Sequence, residues 1–242
     1  MALAHPDDEV GVAGAILAQR ARGDRVVLVW LTRGEMTEAL GPIPAEAVIA
    51  RRMEHGRQAG EILGIETRFL DFPDTRLQAT PEAAERVARL IAEVRPDGVF
   101  TWGHAWRRGM RHPDHQACGR IVRDAITLAR IKRVVAPIEP HRLPVPVFTY
   151  RGEHSILPAV ALDVEPYREQ ILELGRHYHR ELEFPDPEWL DAWHRERGAR
   201  WGLAYAEEFD AWETEGGLVS SLLPAGTAGP PDHPERTDER TL

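Results

Sequence analysis

Two short strings concentrate the side chains of this sequence that could do chemistry. The first is A-H-P-D-D-E at residues 4–9, and the second is H-P-D-H at residues 112–115. Imidazole nitrogens and carboxylate oxygens are the usual ligands of a catalytic zinc ion, which takes three protein ligands and keeps one position open. The strings together hold three histidines and three aspartates: His5, His112, His115, Asp7, Asp8 and Asp114. They therefore predict a metal site with acid–base groups beside it.

In the first string, two adjacent carboxylates follow a proline that restricts the backbone. Adjacent side chains on such a turn point in different directions, so one of Asp7 and Asp8 can bind the metal while the other faces the open coordination position. A carboxylate in that place can take a proton from an attacking water molecule. Either aspartate alone would more often be an N-cap of the following helix. The second string favours the metal site.

The second string predicts the start of a helix, because proline is favoured at the first helical position. His112 and His115 are three residues apart, so both can face the same cleft. One imidazole can be the third metal ligand, and the other can be protonated and stabilise a developing oxyanion. Asp114 can orient one of the two rings.

The pattern of elements predicts how the fold brings the two strings together. Short apolar runs such as 26–31 alternate with amphipathic segments such as 45–63, which stops at Gly64. This alternation predicts an α/β fold, a Rossmann-like three-layer sandwich with a mostly parallel sheet and helices on both faces. The other predicted strands and helices are 67–70, 81–94, 98–102, 113–131, 147–150, 159–162, 167–182 and 188–200. Since ligands bind at the carboxyl ends of strands in such sheets, the strings are expected to share one pocket.

The chain has 242 residues, of which 43% are hydrophobic, enough for one large α/β domain. We expect a single domain over residues 1–223. Residues 224–242 are rich in proline, glycine and charge, and are expected to form a disordered tail. Only three residues precede Ala4, fewer than a usual strand of five or six, so we expect either a short edge strand or a start that lies upstream.

Composition argues against several classes of protein. The net charge of −9 gives no general attraction to nucleic acid or anionic membranes. The sequence has no apolar stretch of ~18 residues and no signal-peptide layout at its start, so a cytoplasmic location is expected. Cys118 is the only cysteine, which excludes an intramolecular disulfide and a cysteine-rich zinc site. The first strand is not followed by G-x-G-x-x-G, which argues against a nucleotide binder.

In several motifs the sequence resembles the LmbE/PIG-L family of zinc-dependent N-acetylglucosaminyl deacetylases. The order and spacing of these motifs agree with the family, and the match is specific to about residue 135. The motifs are A-H-P-D-D-E at 4–9, L-T-R-G-E at 31–35, the helix end from Arg52 to Gly64, F-P-D at 72–74 and H-P-D-H at 112–115. Near the end, Y-A-E-E-F at 205–209 resembles a family string as well.

The resemblance implies a role for each group in the two strings. The zinc ligands would be His5, Asp8 and His115, with Fe²⁺ as the alternative metal. Asp7 would be the general base toward the attacking water. His112 would be the protonated partner that stabilises the oxyanion and helps the amine to leave, and Asp114 would pair with His112.

The resemblance also implies that Arg52 and Asp74 hold sugar hydroxyls. Three positions depart from the family pattern. His55 stands where many members have a glutamate, Met110 where some have a tyrosine, and H-Y-H-R at 177–180 replaces a late H-x-S-Q string. These departures concern the substrate and leave the predicted zinc chemistry intact.

We therefore expect a zinc-dependent N-deacetylase that removes acetyl from an N-acetylglucosamine-type amide, a small-molecule amidated sugar. N-acetylglucosaminyl malate, a precursor in low-molecular-weight thiol synthesis, is one candidate substrate. The alternatives are an amidase acting on a sugar–thiol conjugate or another amidated small molecule, and a non-catalytic sugar-binding protein on the same fold. The resemblance further suggests a homo-oligomer.

Overall fold

The computed structural model describes residues 1–103 and 112–224, and residues 104–111 and 225–242 lie outside the described residues. The predicted domain boundary at residue 223 and the predicted disordered tail therefore stay predictions, and Met110 also falls outside. The strands are β1 Ala2–Leu3, β2 Val27–Trp30, β3 Glu66–Phe69, β4 Val99–Thr101, β5 Val147–Tyr150, β6 Ala159–Asp163, β7 Ala206–Ala211 and β8 Gly217–Val219. The α-helices are α1 Ala13–Ala21, α2 Ala45–Leu63, α3 Pro81–Val94, α4 Pro113–Leu128, α5 Lys132–Val135, α6 Arg168–Leu182 and α7 Glu188–Trp201.

The strands form two sheets. Strands β1, β2 and β3 lie side by side and are all parallel, while the second sheet has the order β4-β5-β7-β6-β8. Within the second sheet β4 is parallel to β5 and β6 to β8, and β7 runs antiparallel to both of its neighbours. Strand β1 contacts β4, so the two sheets lie next to one another. The prediction of a mostly parallel sheet is confirmed.

Helices cover the sheets in two groups. Helices α3, α4 and α5 pack against one another, and α4 contacts β1. Helices α1, α2, α6 and α7 form the other group, in which α6 contacts the remaining three. This arrangement confirms the predicted α/β sandwich. In the part of the chain that the structure describes, no helix is both long enough and apolar enough to cross a membrane.

Local chemistry explains where the helices begin and end. Helix α2 ends at Gly64, whose φ of 61° lies in the left-handed region that favours glycine. Helix α3 begins with Pro81 in its first turn, and the Thr80 hydroxyl accepts a hydrogen bond from the Ala83 amide. Both helices have the predicted bounds. The helix predicted over 113–131 is shorter, because α4 ends at Leu128 and a turn separates it from α5.

Strand β1 has two residues and lies at the edge of its three-stranded sheet, which agrees with the expected short edge strand. Ala2 pairs with Val29 and Leu3 pairs with Trp30, and all four side chains are buried. Because β1 pairs with β2 and contacts β4 of the second sheet, the string that follows it starts where the two sheets meet. The chain after this string forms a 3₁₀ turn over Asp8–Val12 and becomes α-helical only in α1.

Candidate metal centre

The carboxyl ends of neighbouring strands supply the candidate site. His5 follows β1, Asp74 lies in the loop after β3, and Trp102 follows β4. Helix α4 brings His112 and His115 to the same place, and its first turn faces the 3₁₀ turn that carries Asp8. The rings of His5, His112 and His115 have centroids between 4.6 and 5.3 Å apart. The structure thus brings the two predicted strings together.

The two carboxylate oxygens of Asp8 have different surroundings. Oδ2 accepts hydrogen bonds from the amides of Ala4 at 2.9 Å and His5 at 3.0 Å, and from the Trp102 indole at 3.0 Å. Oδ1 lies 3.1 Å from His115 Nε2 and 3.8 Å from His5 Nδ1. Burial acts to raise the pKa of Asp8, but His115 and His5 hold it well below its usual value. Asp8 therefore points one fixed, ionised oxygen at two imidazoles.

Asp8 Oδ1 is placed to share a divalent metal ion with either imidazole. Atoms that bind one zinc ion at about 2 Å must lie within about 4 Å of each other, and the distances from Asp8 Oδ1 to His115 Nε2 and to His5 Nδ1 satisfy this limit. Among the described residues, the groups whose ligand atoms all lie within 4.8 Å of one another are His5 with His112 and His115, and His5 with Asp74 and Asp114. The complete ligand set of His5, Asp8 and His115 therefore stays a prediction. Because Oδ2 is already bound by three N–H groups, Oδ1 is the oxygen that remains for an ion. The donor set of two imidazoles and one carboxylate is one that catalytic zinc sites use.

Asp7 differs sharply from its neighbour. Its φ of 113° lies in the left-handed region, and its amide donates a hydrogen bond to Glu9 Oε2 at 3.0 Å. Its side chain is 26% exposed, whereas that of Asp8 is 5% exposed. Asp7 Oδ2 lies 2.8 Å from Arg52 Nη2. Burial raises the pKa of Asp7 despite the nearby guanidinium, and the adjacent Asp8 charge adds to this effect.

Glu9 holds this strained turn and is a residue that the sequence reasoning missed. It is fully buried, and its Oε2 also accepts a hydrogen bond from Trp30 Nε1 at 3.1 Å. Its Oε1 accepts a hydrogen bond from the Tyr178 hydroxyl, which comes from α6. Burial raises the pKa of Glu9 to about 7. The only signal in the sequence is the position of this acid directly after the two aspartates.

Asp114 is held by groups that are distant in the sequence. Its carboxylate is fully buried and accepts hydrogen bonds from the amides of Thr75 at 2.7 Å and Leu77 at 3.1 Å. A third hydrogen bond, at 3.2 Å, comes from His5 Nε2. The predicted pairing of this carboxylate with His112 differs from what the structure shows. The hydrogen bond between these two residues runs from the Asp114 backbone amide to the His112 ring.

That backbone contact decides where His112 carries its proton. Its Nδ1 accepts the Asp114 amide at 3.3 Å, as an N-cap of α4. A ring whose Nδ1 accepts must carry its proton on Nε2 when it is neutral. Burial lowers the pKa of His112, and the neighbouring His5 and His115 lower it further. This contact and the lowered pKa favour a neutral ring that donates a hydrogen bond from Nε2. The protonated His112 that the resemblance implies stays a prediction.

The two residues predicted to hold sugar hydroxyls both lie at the site. Asp74 Oδ1 is 3.2 Å from His5 Nε2, and Asp74 Oδ2 accepts a hydrogen bond from the Met36 amide at 2.9 Å. Arg52 is buried, and its Nη2 also donates to the Pro6 carbonyl. Among the described residues, Arg52 Nε and Nη1 have no hydrogen-bond partner. A role of either residue toward sugar stays a prediction.

Gly34 explains part of the L-T-R-G-E motif. Its φ is 67°, in the left-handed region, and a Cβ atom there would lie 2.7 Å from Arg52 Nε. Any larger residue would therefore displace the guanidinium that pairs with Asp7.

Trp102 is a second residue that the sequence reasoning missed, because the sequence marks it only as the end of a strand. Its indole stacks on His115 and donates to Asp8, so it contacts two of the three predicted metal ligands. Tyr150 supports the same turn from β5, where its hydroxyl donates to the Asp8 carbonyl at 2.5 Å. The signal in the sequence for Trp102 and Tyr150 is that each is an aromatic residue at the end of a predicted strand.

Comparison with known proteins decides the family. Residues 1–126, more than half of the 242-residue chain, match the family model described as "PIG-L: GlcNAc-PI de-N-acetylase". The chain belongs to the PIG-L family. The resemblance stated from the motifs is thereby confirmed, and the matched region includes every predicted site residue.

Curated relatives of this PIG-L protein are deacetylases. A diacetylchitobiose deacetylase from Thermococcus kodakarensis is 29% identical over 192 residues, which cover 76% of this chain and 69% of the relative. A probable N-acetyl-alpha-D-glucosaminyl L-malate deacetylase 2 from Bacillus anthracis is 37% identical over 139 residues, covering 53% of this chain and 59% of the relative. The matched part of the PIG-L chain thus spans 59% to 69% of the lengths of these two proteins.

A solved structure supports the fold over a longer stretch. A conserved protein from Thermus thermophilus superimposes with a TM-score of 0.74 at 30% identity, covering 87% of this chain and 92% of that one. The prediction of an enzyme that hydrolyses an amide bond is confirmed at the level of the PIG-L family.

Proposed function

We propose that this protein is a metal-dependent hydrolase that removes the acetyl group from an N-acetylglucosamine-type amide. One observation carries the proposal: the two adjacent carboxylates of the D-D pair are divided between two tasks. Asp8 is buried and fixed against the imidazoles, while the left-handed backbone turns Asp7 to the more exposed side. A metal ligand and a general base for the attacking water are needed together in such a hydrolase.

The residues that would hold the metal are His5, Asp8 and His115. Zinc is the proposed ion, with Fe²⁺ as the alternative. When bound, such an ion polarises the amide carbonyl and makes a water molecule more acidic.

The protein's own groups then handle the protons. Asp7 takes a proton from the water whose oxygen attacks the carbonyl carbon. His112 Nε2 donates a hydrogen bond to the oxygen on which negative charge develops. The proton that Asp7 took from the water then goes to the nitrogen as the C–N bond breaks. Acetate and a free amine leave. Arg52 keeps Asp7 in place through its 2.8 Å contact.

The proposed substrate class is the chemical group that the substrates in the relatives' names have in common. Diacetylchitobiose and N-acetyl-α-D-glucosaminyl L-malate both carry an acetamido group on a glucose ring. We propose a small conjugate of this kind, with N-acetylglucosaminyl malate as one candidate, and propose that Arg52 and Asp74 hold its hydroxyls. A cytoplasmic location, a homo-oligomeric state and the lack of nucleic-acid or membrane partners stay predictions from the sequence.

A substrate screen tests the proposal. Zinc-loaded protein is incubated with N-acetylated sugars and sugar conjugates, and free amine is measured. Amine release from at least one N-acetylglucosamine conjugate, with loss in the Asp7→Asn variant, is the expected result. Hydrolysis confined to an amide elsewhere in a sugar–thiol conjugate would favour the alternative amidase. Binding of a sugar without amine release would favour the non-catalytic alternative.

A further inference from the structure

The buried carboxylate of Asp114 is hydrogen-bonded to His5 and not to His112, the histidine two positions before it in the sequence. All of its hydrogen bonds described above come from groups about 40 or about 110 positions away: Thr75, Leu77 and His5. Two of them are backbone amides that fix the carboxylate in space. The third is the Nε2–H group of a residue that we assign to the metal.

This third hydrogen bond determines the state of the His5 ring. A carboxylate can only accept, so His5 Nε2 donates and carries a proton. In the neutral ring the lone pair then lies on Nδ1. Nδ1 is the nitrogen that lies 3.8 Å from Asp8 Oδ1, on the side of the candidate metal site. The carboxylate of Asp114 thus selects the tautomer that can bind a metal ion.

The link from Asp114 to His112 does not use the side chain. The hydrogen bond to His112 Nδ1 comes from the Asp114 amide, which any residue except proline would supply. Replacing the carboxylate should therefore leave this hydrogen bond in place. The two contacts of Asp114 can be separated by experiment for this reason.

Asp74 is the competing carboxylate at the same nitrogen. Its Oδ1 lies 3.2 Å from His5 Nε2, the same distance as Asp114 Oδ2. One N–H group can be fully shared with only one of them. The contact with Asp114 has hydrogen-bond geometry, and Asp114 is more deeply buried than Asp74. The other oxygen of Asp74 accepts a hydrogen bond from the backbone amide of Met36.

We propose that Asp114 is a positioning residue for the metal ligand His5, and that its effect on the reaction passes through metal binding and not through His112. The proposal rests on the proposed function for the identity of the metal ligands. A carboxylate on the far nitrogen of a ligating histidine fixes the ring and raises its basicity, and its loss commonly lowers metal affinity by about 10- to 100-fold.

The test measures zinc affinity of the full chain without substrate, by competition with a chromophoric chelator. The variants are Asp114→Asn, which keeps the shape of the side chain, Asp74→Asn as the matched control, and His112→Ala. We expect Asp114→Asn to weaken zinc binding by about 10- to 100-fold. Asp74→Asn should have a smaller effect, and His112→Ala should leave the affinity within a few-fold of the wild type. The visible spectrum of the Co²⁺-loaded Asp114→Asn variant should change. The melting temperature of the variant without metal is measured alongside, because the asparagine NH2 group would face one of the two backbone amides that the carboxylate accepts.

Two results would overturn the proposal. An unchanged zinc affinity and Co²⁺ spectrum in Asp114→Asn, together with lost turnover, would place the effect of Asp114 on His112. Binding of two zinc ions per chain, reduced to one by Asp114→Asn, would make Asp114 a metal ligand itself, since one oxygen of Asp114, one of Asp74 and one His5 nitrogen lie within 4.8 Å of each other. Because substrate is absent, failure of the proposed deacetylation would leave the zinc result unaffected and so remains distinguishable.

Discussion

The indole of Trp102 lies flat on the imidazole of His115, with ring centroids 3.7 Å apart and planes inclined by 8°. The same indole donates its Nε1–H to Asp8 Oδ2 at 3.0 Å. One aromatic side chain at the end of β4 therefore restrains both a ring and a carboxylate that we assign to the metal. The geometry of the candidate site therefore depends on Trp102 as well as on the proposed ligands.

Replacing Trp102 by phenylalanine should weaken zinc binding by about tenfold, because the variant keeps an aromatic ring near His115 but loses a hydrogen bond to a charged acceptor. Zinc affinity by chelator competition measures this. Trp212→Phe is the matched control, since the Trp212 indole donates to the neutral Thr149 hydroxyl. Equal zinc affinities for the wild type and Trp102→Phe would show that the hydrogen bond to Asp8 is unimportant.

The Asp7→Asn variant should lose at least about 100-fold in turnover while it keeps its zinc, because asparagine cannot accept the proton of the attacking water. Asparagine tolerates a left-handed backbone, so the turn at φ 113° should persist. Steady-state rates measure the loss of turnover, and metal analysis of the purified variant shows whether zinc is retained. Turnover close to that of the wild type would remove Asp7 from the role of general base.

Among the acidic residues of β7, Glu207 should give the largest loss of stability when it is replaced. Its carboxylate accepts the amides of Gly14 and Ala15 at the start of α1, at 2.7 and 2.8 Å, and lies 3.3 Å from His194 Nε2. Glu207→Ala should lower the free energy of unfolding by about 3 kcal/mol, because buried donors lose their acceptor. Urea unfolding measures the loss.

The adjacent Glu208→Ala variant is the control for this experiment. Glu208 pairs with Arg200, whose side chain is half exposed, and with the Trp201 indole. Its removal should cost less than that of Glu207, because the half-exposed Arg200 can be solvated when its partner is lost. Equal losses from the two variants would contradict the assigned role of Glu207 at the start of α1.

His55 should make the protein less stable in mild acid. Burial, with Arg52 nearby, lowers the pKa of His55 from 6.5 to about 4 in the folded protein. Between these values the unfolded chain binds a proton that the folded chain does not, so stability falls as the pH drops from about 6.5 to about 4. At pH 5 this effect lowers the free energy of unfolding by about 2 kcal/mol relative to a pH above both pKa values.

The measurement is the free energy of unfolding at several pH values for the wild type and His55→Gln. The variant should show a shallower decline in this window. Glu181 lies 3.4 Å from His55 Nε2 and favours the charged ring, and its removal should steepen the decline. An identical pH dependence in the wild type and His55→Gln would refute the assignment.

The sequence predicted the parts of the fold that depend on local patterns. The bounds of α2 and α3 follow from a terminal glycine and a capped proline turn, and both were predicted correctly. The position of the first motif after a strand and of the second at the start of a helix also followed from the alternation of strands and helices. The family also followed from the order of its motifs.

Strand β7 could not be predicted in this way. Its sequence, A-E-E-F-D-A, carries three acidic residues, yet all six positions are buried. Each acid is stabilised by partners distant in the sequence or on another element: Glu207 by the start of α1, Glu208 by α7, and Asp210 by Arg151 and Ser155. A local hydrophobic pattern contains none of this information.

The same limit applies within the candidate site. Asp114 was assigned to His112 because the two lie in one string, but its carboxylate is held by the loop after β3 and by His5. Glu9 gains its role from Trp30 and Tyr178, which no spacing rule connects to it. The types of the chemical groups could be predicted from the sequence, whereas their pairing required the fold.

The most direct test of the proposed deacetylation is a product balance on the metal-loaded protein. Metal-depleted protein is supplied with zinc and given an N-acetylglucosamine conjugate such as N-acetylglucosaminyl malate or diacetylchitobiose, and acetate and free amine are measured together. We predict equal amounts of the two products, none without metal, and full activity at one zinc ion per chain. Protein that binds one zinc ion at this site and releases neither product from any N-acetylglucosamine conjugate would contradict the proposed function.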